Sequence, residues 1–372
     1  MGFEEFRQMR QPDKIRPREK AAGIKDIATA LGVSIGTVDR ALHGRPGINA
    51  MTRARVLKMA QTLDYRPNVA ARHLKLNRKL RISVHLPREI ASFFDALRDG
   101  IQEAAAPFES SIELQFRDYP HLGEGDVELL SQALEDSTSG LILVPGHPVD
   151  LKPWIRKAAR RHIPVVCVAT DAPGTERLTA VAIDAYTSGS MAAELLTRFA
   201  RQEGAALLVT GDLSTVDHAE KLRGFQDFLA KSDGLLKVAE VMEAHDDPDR
   251  AYRLTLENVR RHPGIAAVYV CTANSASVVQ ALEETGCVGK TAVITTDLFP
   301  ALVPMIRSGK VLATVYQRPR TQGRMAFQSL HQFLVEGTCP PLRQRLPPHI
   351  IMQSNLDLFL EMQPADLEAL AK

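Results

Sequence analysis

Residues 24 to 74 have the sequence IKDIATALGVSIGTVDRALHGRPGINAMTRARVLKMAQTLDYRPNVAARHL, which decides the fold of the N-terminal part. At its start, apolar residues at helical spacing predict a short amphipathic helix through Ile24, Ile27, Ala28 and Leu31. Gly32 follows, and glycine suits the left-handed turn that ends a helix. Ser34 is a suitable N-cap for a second helix over residues 35–42. Two short helices joined by a glycine turn predict a helix-turn-helix.

The second helix is expected to have an apolar and a polar face, with a third helix behind it. Val38, Ala41 and Leu42 share the apolar face, whereas Gly36, Arg40 and His43 fall on the other. A cap at Asn49 or Thr52 precedes a third apolar pattern of Val56, Met59, Ala60 and Leu63. The DNA major groove admits one such helix, and Arg40 can bond a guanine edge with two hydrogen bonds. The alternative is a helical hairpin that packs on the rest of the chain and leaves Arg40 solvated.

Charge divides the chain at the end of this segment. Residues 1–80 contain 17 Lys and Arg against 7 Asp and Glu, a net charge of +10, and the remainder contains 29 against 37, a net charge of −8. A basic segment joined to an acidic body is typical of a polyanion-binding module attached to a domain with another role. Together with the helix-turn-helix pattern, the charge predicts that the chain binds double-stranded DNA.

Length and composition exclude several protein classes. The 372 residues are enough for two or three cores, and 45% hydrophobic with 24% charged residues is neither collagen-like nor disordered. No apolar run reaches the roughly 18 residues of a membrane helix, and residues 1–20 are charged where a signal peptide is apolar, so we expect a cytoplasmic protein. The cysteines lack metal-ligand spacing and are expected to be buried and reduced: Cys167, Cys271, Cys287 and Cys339.

From residue 80 onward, short apolar strands alternate with longer amphipathic stretches such as 93–106 and 188–201. Strands are predicted at 82–86, 112–116, 141–144, 165–168, 206–209, 267–270, 292–295 and 312–315. This alternation predicts parallel sheets with helices on both faces, and two sheets are needed for so many strands. Asp171, Asp184 and Asp297 follow strand ends, where open α/β sheets bind ligands. No Walker A, Gly-x-Gly-x-x-Gly, Gly-x-Ser-x-Gly or His-Glu-x-x-His motif is present, so we expect no enzyme and no cofactor.

Residues 24–74 resemble the headpiece of the LacI/GalR family of bacterial transcription regulators. The matching elements are Asp26-Ile27-Ala28, Gly32-Val33-Ser34, Thr37-Val38, Arg40, Leu42, Tyr65, Pro67-Asn68, Ala71 and Leu74. The resemblance implies that Ile35, Gly36 and Arg40 read bases. It also implies that Ser34, Thr37, Tyr65 and Asn68 hold phosphates or fix the docking angle. A hinge helix is implied over 69–76, in which Leu74, one turn after Ala71, wedges into the minor groove.

Gly36 and Asp39, both in the second helix, are expected to affect its contacts with DNA. Gly36 has no side chain, so base discrimination there is expected to be poor or to come from Ile35 touching a thymine methyl group. Asp39 stands where the family usually has serine, and an acid near the groove repels phosphate. It either accepts a hydrogen bond from a cytosine amino group or pairs with a neighbouring arginine.

The acidic body resembles the periplasmic-binding-protein type I fold over residues 80–360. The matching segments are 92–105, 163–173, 182–196, 221–225, 293–297 and 313–319. The resemblance implies two lobes that close on a small ligand, joined by three crossovers near 173–183, 313–318 and 345–350.

The same resemblance implies candidate effector contacts. By position, Phe93 and Phe94 would stack on a sugar ring, and Asp297 and Gln317 would bond its hydroxyls. Asp171 and Asn274 are further candidates. Sugar receptors of the ribose type place an arginine a few residues before the position of Gly224, where this chain has Ala219 or Glu220. The resemblance therefore does not identify the ligand of this chain.

The predicted fold class is a small all-α helix-turn-helix headpiece followed by a two-lobed α/β periplasmic-binding-protein type I domain with parallel sheets. The predicted domains are a disordered extension over 1–22, the headpiece over 23–67, a hinge helix and linker over 68–79, the effector-binding and dimerisation domain over 80–360, and a tail over 361–372.

The predicted function is sequence-specific regulation of transcription, most simply repression. A homodimer is expected on a pseudo-palindromic operator, because one headpiece makes too few contacts to find one genomic site. The expected effector is a sugar or sugar derivative. One alternative is a regulator of the same family with a non-sugar effector, either a nucleobase or a protein co-regulator. Another is an enzyme with an appended DNA-binding domain, which would need a glycine-rich phosphate loop.

Overall fold

A computed structural model describes residues 23–42, 45–63, 79–200, 202–232 and 234–361. The N-terminal helices belong to one compact unit together with residues 331–339, and both β-sheets belong to the other. No helix in these ranges is long and apolar enough to cross a membrane.

The N-terminal unit contains the three helices that the sequence predicts. They are α1 Ile24–Leu31, α2 Ile35–Leu42 and α3 Ala50–Thr62. Ile27, Val38 and Val56 are fully buried where the three helices meet. Gly32 ends α1 in the left-handed conformation (φ 64°), as the turn requires. The side chain of Asn49 accepts a hydrogen bond from the amide of Thr52 at 2.7 Å, so Asn49 is the cap of α3.

The body alternates strands and helices along the chain. Its strands are β1 Leu80–Pro87, β2 Ile112–Tyr119, β3 Gly140–Leu143, β4 Val165–Val168, β5 Thr179–Ile183, β6 Gly204–Thr210, β7 Leu236–Glu243, β8 Ile265–Val270, β9 Ala292–Thr296, β10 Ala313–Tyr316, β11 Arg343–Leu346 and β12 His349–Met352. Its helices are α4 Ala91–Ala105, α5 Asp126–Glu135, α6 Pro148–Arg160, α7 Ala185–Phe199, α8 Val216–Lys231, α9 Pro248–Arg261, α10 Ser275–Glu284, α11 Val303–Arg307, α12 Pro319–Glu336 and α13 Leu356–Glu361.

The strands form two six-stranded sheets, and each sheet is the centre of one lobe. The first sheet has the order β11-β5-β4-β3-β1-β2, with parallel pairing throughout. The second has the order β12-β10-β9-β8-β6-β7 and is parallel except for β12, which pairs antiparallel with β10. Apolar clusters cover both faces of the second sheet, as expected for a parallel sheet between two helix layers.

Every strand predicted from the sequence is present, with ends shifted by three residues at most. The sequence patterns missed β5, β7, β11 and β12. Three of these are edge strands, and β7 and β11 are only partly buried, so neither has a continuous apolar run. The sequence analysis placed β5 inside the first crossover.

The chain crosses between the lobes three times. The first crossing is at Asp184, between β5 and α7, one residue beyond the expected interval because β5 completes the first sheet. The second runs through Gln317 and Arg318, between β10 and α12, and the third through residues 347–348, between β11 and β12. The first and third crossings lie side by side, because the amide of Asp184 donates to the carbonyl of Leu346 at 3.0 Å.

Helices α7 and α8 approach each other closely in the second lobe. A Cβ atom on Gly224 would lie 2.0 Å from the carbonyl oxygen of Tyr186, and one on Gly189 would lie 1.9 Å from that of Lys221. These two glycines therefore allow the approach, and the approach sets the position of Lys221 on α8.

We expect Gly224→Ala to lower the free energy of unfolding by about 1–3 kcal/mol, because the new methyl group would force α8 away from α7. Urea denaturation of the purified chain, followed by circular dichroism, would measure the change. An unchanged midpoint would show that the two helices separate without cost.

Candidate DNA-binding surface and ligand cleft

Helix α2 buries one face and exposes the other, as its sequence pattern predicts. Val38 and Ala41 are buried against α1 and α3. Gly36 and Arg40 are exposed on the opposite side, and the side chain of Ile35 is 50% exposed. The residues predicted to read bases therefore lie together on the accessible face.

Arg40 and Gly36 interact within this face. The Nε atom of Arg40 donates to the carbonyl oxygen of Gly36 at 3.0 Å, and a Cβ atom on Gly36 would lie 3.5 Å from Nη2 of Arg40. The arginine thus lies along the helix over a position that has no side chain. Gly36 therefore leaves space for the side chain of Arg40 and has no side chain that could contact DNA.

The remaining described residues of the surface are held by local contacts. The Oγ of Ser34 accepts from the amide of Thr37 at 3.1 Å, which caps α2. Asp39 forms an ion pair with Arg45 at 3.0 Å, so the structure favours arginine pairing over the cytosine contact. Arg53 donates to the carbonyl of Arg45 at 3.1 Å and links this loop to α3. The sites predicted at Tyr65, Asn68, Ala71 and Leu74 lie outside the described residues and stay predictions.

A cleft lies between the two lobes, at the carboxyl ends of the strands. The first lobe contributes Glu89, Ile90, Phe93, Phe94 and Thr170, among others. The second lobe contributes Asp217, His218, Lys221, Asp246, Asp297 and Gln317, among others. Open α/β sheets bind ligands at this edge.

Two phenylalanines at the start of α4 form an aromatic wall of the cleft. The rings of Phe93 and Phe94 are 5.0 Å apart and nearly perpendicular, at 81°. Both side chains are largely buried and both line the cleft. An aromatic face of this kind suits the apolar C–H face of a ring ligand.

Asp297 and Gln317 form a buried hydrogen-bonded pair at the ends of β9 and β10. The carboxylate of Asp297 accepts from the backbone amide of Gln317 at 2.9 Å and from its Nε2 at 2.5 Å. Burial raises the pKa of Asp297 to about 6, although the hydrogen bonds from Gln317 oppose the shift. The pair can accept hydrogen bonds from a ligand's hydroxyl groups while remaining fixed.

The backbone is strained around the cleft. Ile90, Ala169, Asp246 and Asp297 line the cleft with positive φ, of 51°, 66°, 55° and 64°. Each lies within three residues of the end of a strand. Side-chain-bearing residues adopt this conformation at a cost of about 1–3 kcal/mol each, and such strain clusters at functional sites.

Lys221 is a cleft residue that the sequence analysis missed. It is fully buried, and its Nζ lies 2.6 Å from Oδ2 of Asp217, one turn earlier on α8. Burial disfavours the charge, but Asp217, Tyr269 and Cys271 together outweigh burial and the pKa of Lys221 is raised. The resemblance to ribose-type receptors pointed to positions 219 and 220 and not to Lys221. The sequence feature that could have identified Lys221 is its spacing from Asp217, four residues earlier on the same helix and shortly before Gly224.

Glu89 and Asp246 were also missed, because each lies in a loop without a motif. Glu89 accepts from the amide of Leu122 at 2.5 Å and contacts Nδ1 of His121 at 3.0 Å. Burial raises the pKa of Glu89 and the charge of Asp246 adds to the shift. Burial likewise raises the pKa of Asp246, against the opposing effect of His218.

Two predicted effector contacts are not among the residues that line the cleft. The carboxylate of Asp171 accepts from Arg177 at 2.8 Å and pairs with Arg343 at 3.0 Å, which ties the edge strand β11 to the first lobe. Asn274 precedes α10, and its amide donates to Oγ1 of Thr272 at 3.2 Å. The structure therefore gives the Asp171 side chain a structural role. The contact of Asn274 is made by its backbone amide, and its side-chain Nδ2 is buried without a hydrogen-bond partner among the described residues.

Two hydrogen bonds connect the lobes across the cleft. Oγ of Ser214 and Nδ1 of His147 are 2.7 Å apart. The amide of Asp217 donates to Oγ1 of Thr170 at 3.3 Å. The lobes are thus in direct contact, and Thr170 and Asp217 also line the cleft. Within the described ranges, no group of three His, Cys, Asp or Glu side chains could hold a metal ion.

Comparisons with known families match both parts of the chain. The family model of the periplasmic binding protein domain matches residues 82–338, and that of bacterial regulatory proteins of the lacI family matches residues 23–68. The chain is 28% identical to catabolite control protein A of Streptococcus mutans over 249 residues. This alignment covers 66% of this chain and 72% of that protein. With catabolite control protein A of Priestia megaterium it shares 26% over 239 residues, 64% of this chain and 69% of that protein.

Solved structures support the fold of the body. The crystal structure of GanP, a glucose-galactose binding protein from Geobacillus stearothermophilus, has a TM-score of 0.70 at 22% identity, covering 75% of this chain and 99% of that chain. A solute-binding protein from Burkholderia graminis in complex with D-arabinose has a TM-score of 0.70 at 21% identity, covering 75% and 97%. These similarities identify the two-lobed fold of the body.

The raised pKa of Asp297 predicts a pH-dependent effect of Asp297→Asn on stability. An unfolded aspartate ionises near 3.8 and the folded one near 6, so the folded chain loses stability as the pH rises through this window. Asn carries no charge, and the variant should therefore be more stable at pH 7.5, by as much as about 3 kcal/mol, with the gain vanishing toward pH 4. Urea titrations at both pH values would measure it. A gain of equal size at pH 4 would contradict ionisation of Asp297 as the cause.

Proposed function

This chain belongs to the lacI family of bacterial regulatory proteins, and from that membership we propose that it represses transcription as an operator-bound homodimer under the control of a carbohydrate-like effector. It is a DNA-binding transcription regulator with a periplasmic-binding-protein-like body. The observation that carries the proposal is the cleft, in which an aromatic wall on one lobe is combined with the fixed Asp297–Gln317 pair on the other.

The proposed DNA contacts start from the exposed face of α2. Arg40 supplies direct base readout, and Ile35 offers an apolar contact to a thymine methyl group. Phosphate contacts are proposed for Ser34 and Thr37, which lie at the N-terminus of α2, because helix N-termini favour anions. Two such headpieces on a pseudo-palindromic site would double the contacts, which is the reason for proposing a homodimer.

The proposed effector contacts are Phe93, Phe94, Asp297 and Gln317. Two solved proteins of the same fold are a glucose-galactose binding protein and a protein in complex with D-arabinose, which favours a carbohydrate-like effector here. A ligand that prefers one angle between the lobes shifts the population of lobe angles and can thereby change operator affinity. We further infer that the protein acts in the cytoplasm, where its DNA lies, and catalyses no reaction, as its relatives are transcription regulators.

Arg40→Ala should weaken binding to the operator by roughly 5- to 150-fold, because a bidentate base contact is worth about 1–3 kcal/mol. Operator fragments selected from a genomic library, titrated by fluorescence anisotropy, would measure the affinity. Lys58→Ala, which removes a charge from the exposed side of α3, is the matched control and should have little effect. An equal loss of affinity for random DNA would mean that Arg40 contacts phosphate only.

Asp297→Asn should bind the operator normally and lose the response to the effector. The side chain lies in the body, in the cleft and beside the second crossing, so its loss should remove a contact to the effector and leave the residues of the headpiece unchanged. Operator binding with and without effector would be compared, with Asp249→Asn, an exposed site on α9, as control. A normal effector response in Asp297→Asn would remove this residue from the proposed site.

A further inference from the structure

The charges that line the cleft do not balance. Four carboxylates line it, those of Glu89, Asp217, Asp246 and Asp297, against Lys221 and His218. Lys221 is paired with Asp217 at 2.6 Å, and its charge also opposes the rise in the pKa of Asp246 and of Asp297, but it is one charge among four carboxylates. Even with a charged His218 the carboxylates are in excess. His121 and His245 lie outside the lining, and their side chains are 64% and 45% exposed, so water screens them.

Asp246 supplies a second and independent observation. Its Oδ1 is shielded from solvent and has no hydrogen-bond partner among the described residues, and the same is true of Oδ1 of Asp217. A buried acceptor without a donor costs roughly 1–3 kcal/mol. His245 and Asp246 both have positive φ, of 49° and 55°, so a strained loop holds this carboxylate in the cleft. A ligand with a hydrogen-bond donor would pair this oxygen.

Glu89 faces the cleft from the other lobe. The amide of Leu122 and the ring of His121 fix its carboxylate in the first lobe, whereas Asp246 belongs to the second. The two charges repel, and the charge of Asp246 contributes to the raised pKa of Glu89. A cation between them would replace this repulsion with attraction and would hold the lobes together.

The cation is expected to be organic. In the part of the chain that the structure describes, no three carboxylate, imidazole or thiol groups converge closely enough to hold a metal ion. An ammonium group carries three hydrogen-bond donors and needs fewer charged partners. The remaining walls of the cleft, Phe93 with Phe94 and Asp297 with Gln317, suit a hydroxylated ring.

We propose that the effector carries a protonated amine, which binds between Glu89 of one lobe and Asp246 of the other while its hydroxylated ring lies against Phe93 and Phe94. The chemical class is an amino sugar or an aminated polyol, in preference to a neutral sugar. This inference rests on the proposed function, because it assigns the effector class of the same cleft. Charge-assisted hydrogen bonds to two carboxylates favour the amine over the neutral analogue.

Matched ligands test the proposal directly. Isothermal titration calorimetry of the full chain at pH 7.5 would use glucosamine, galactosamine and mannosamine, each with its parent sugar and its N-acetyl derivative, which has no charge. An amine should bind at least about tenfold more tightly than both neutral partners. Neutral sugars that bind as tightly as the amines would overturn the inference and leave the proposed function intact. No binding by any member of the panel would count against the carbohydrate-like effector itself and therefore against both.

Two variants test the residues. Asp246→Asn should lower the affinity for the amine at least about tenfold and leave that for the parent sugar unchanged, since a charge-assisted bond is lost. Asn tolerates the left-handed backbone at this position, so the loop should keep its conformation. Glu89→Gln should show the same selective loss. Asp249→Asn removes the same charge from an exposed site on α9 and should change neither affinity. Equal losses for amine and sugar in Asp246→Asn would refute the assignment of Asp246.

Discussion

The carboxylate of Asp297 accepts two hydrogen bonds from Gln317 at the point where the chain leaves the second lobe. This link joins the wall of the cleft to the second crossing. Gln322, on the first turns of α12, donates to the carbonyl of Gln317 at 2.7 Å, and Thr314 donates to the carbonyl of Asp297 at 2.5 Å. A ligand that bonds Asp297 would therefore act on the segment that connects the lobes. In the proposed mechanism, effector recognition and the change in lobe angle therefore share one buried contact.

Desolvation explains why the polar groups of the cleft are so well held. Asp297, Lys221 and Asp217 are taken out of water at the strand ends, and such groups are costly unless they are paired. Each has a partner within 2.6 Å, and close helix packing at Gly189 and Gly224 brings Lys221 into place. Oδ1 of Asp246 and Oδ1 of Asp217 have no hydrogen-bond partner among the described residues, which is why we infer a ligand there.

In the headpiece, buried residues form the core and exposed residues form the outer face of α2. A small apolar core fixes α2, and the side chains that face outward make only local contacts. Arg40 rests on the carbonyl of Gly36 and Asp39 is neutralised by Arg45. The acid that stands in place of the usual serine thus remains compatible with a DNA-facing surface, because its charge is offset a few residues away.

The sequence by itself determined the three N-terminal helices and their caps, the alternation of strands and helices, and four of the cleft residues: Phe93, Phe94, Asp297 and Gln317. Periodicity and capping are local properties, and family motifs carried the site positions. Only the tertiary structure decided that Lys221, Glu89 and Asp246 meet in the same cleft, and that Asp171 is occupied by Arg177 and Arg343. The physical reason is that these contacts join distant loops at the ends of different strands. Their charges and burial depend on which loops face each other, and no local pattern records that arrangement.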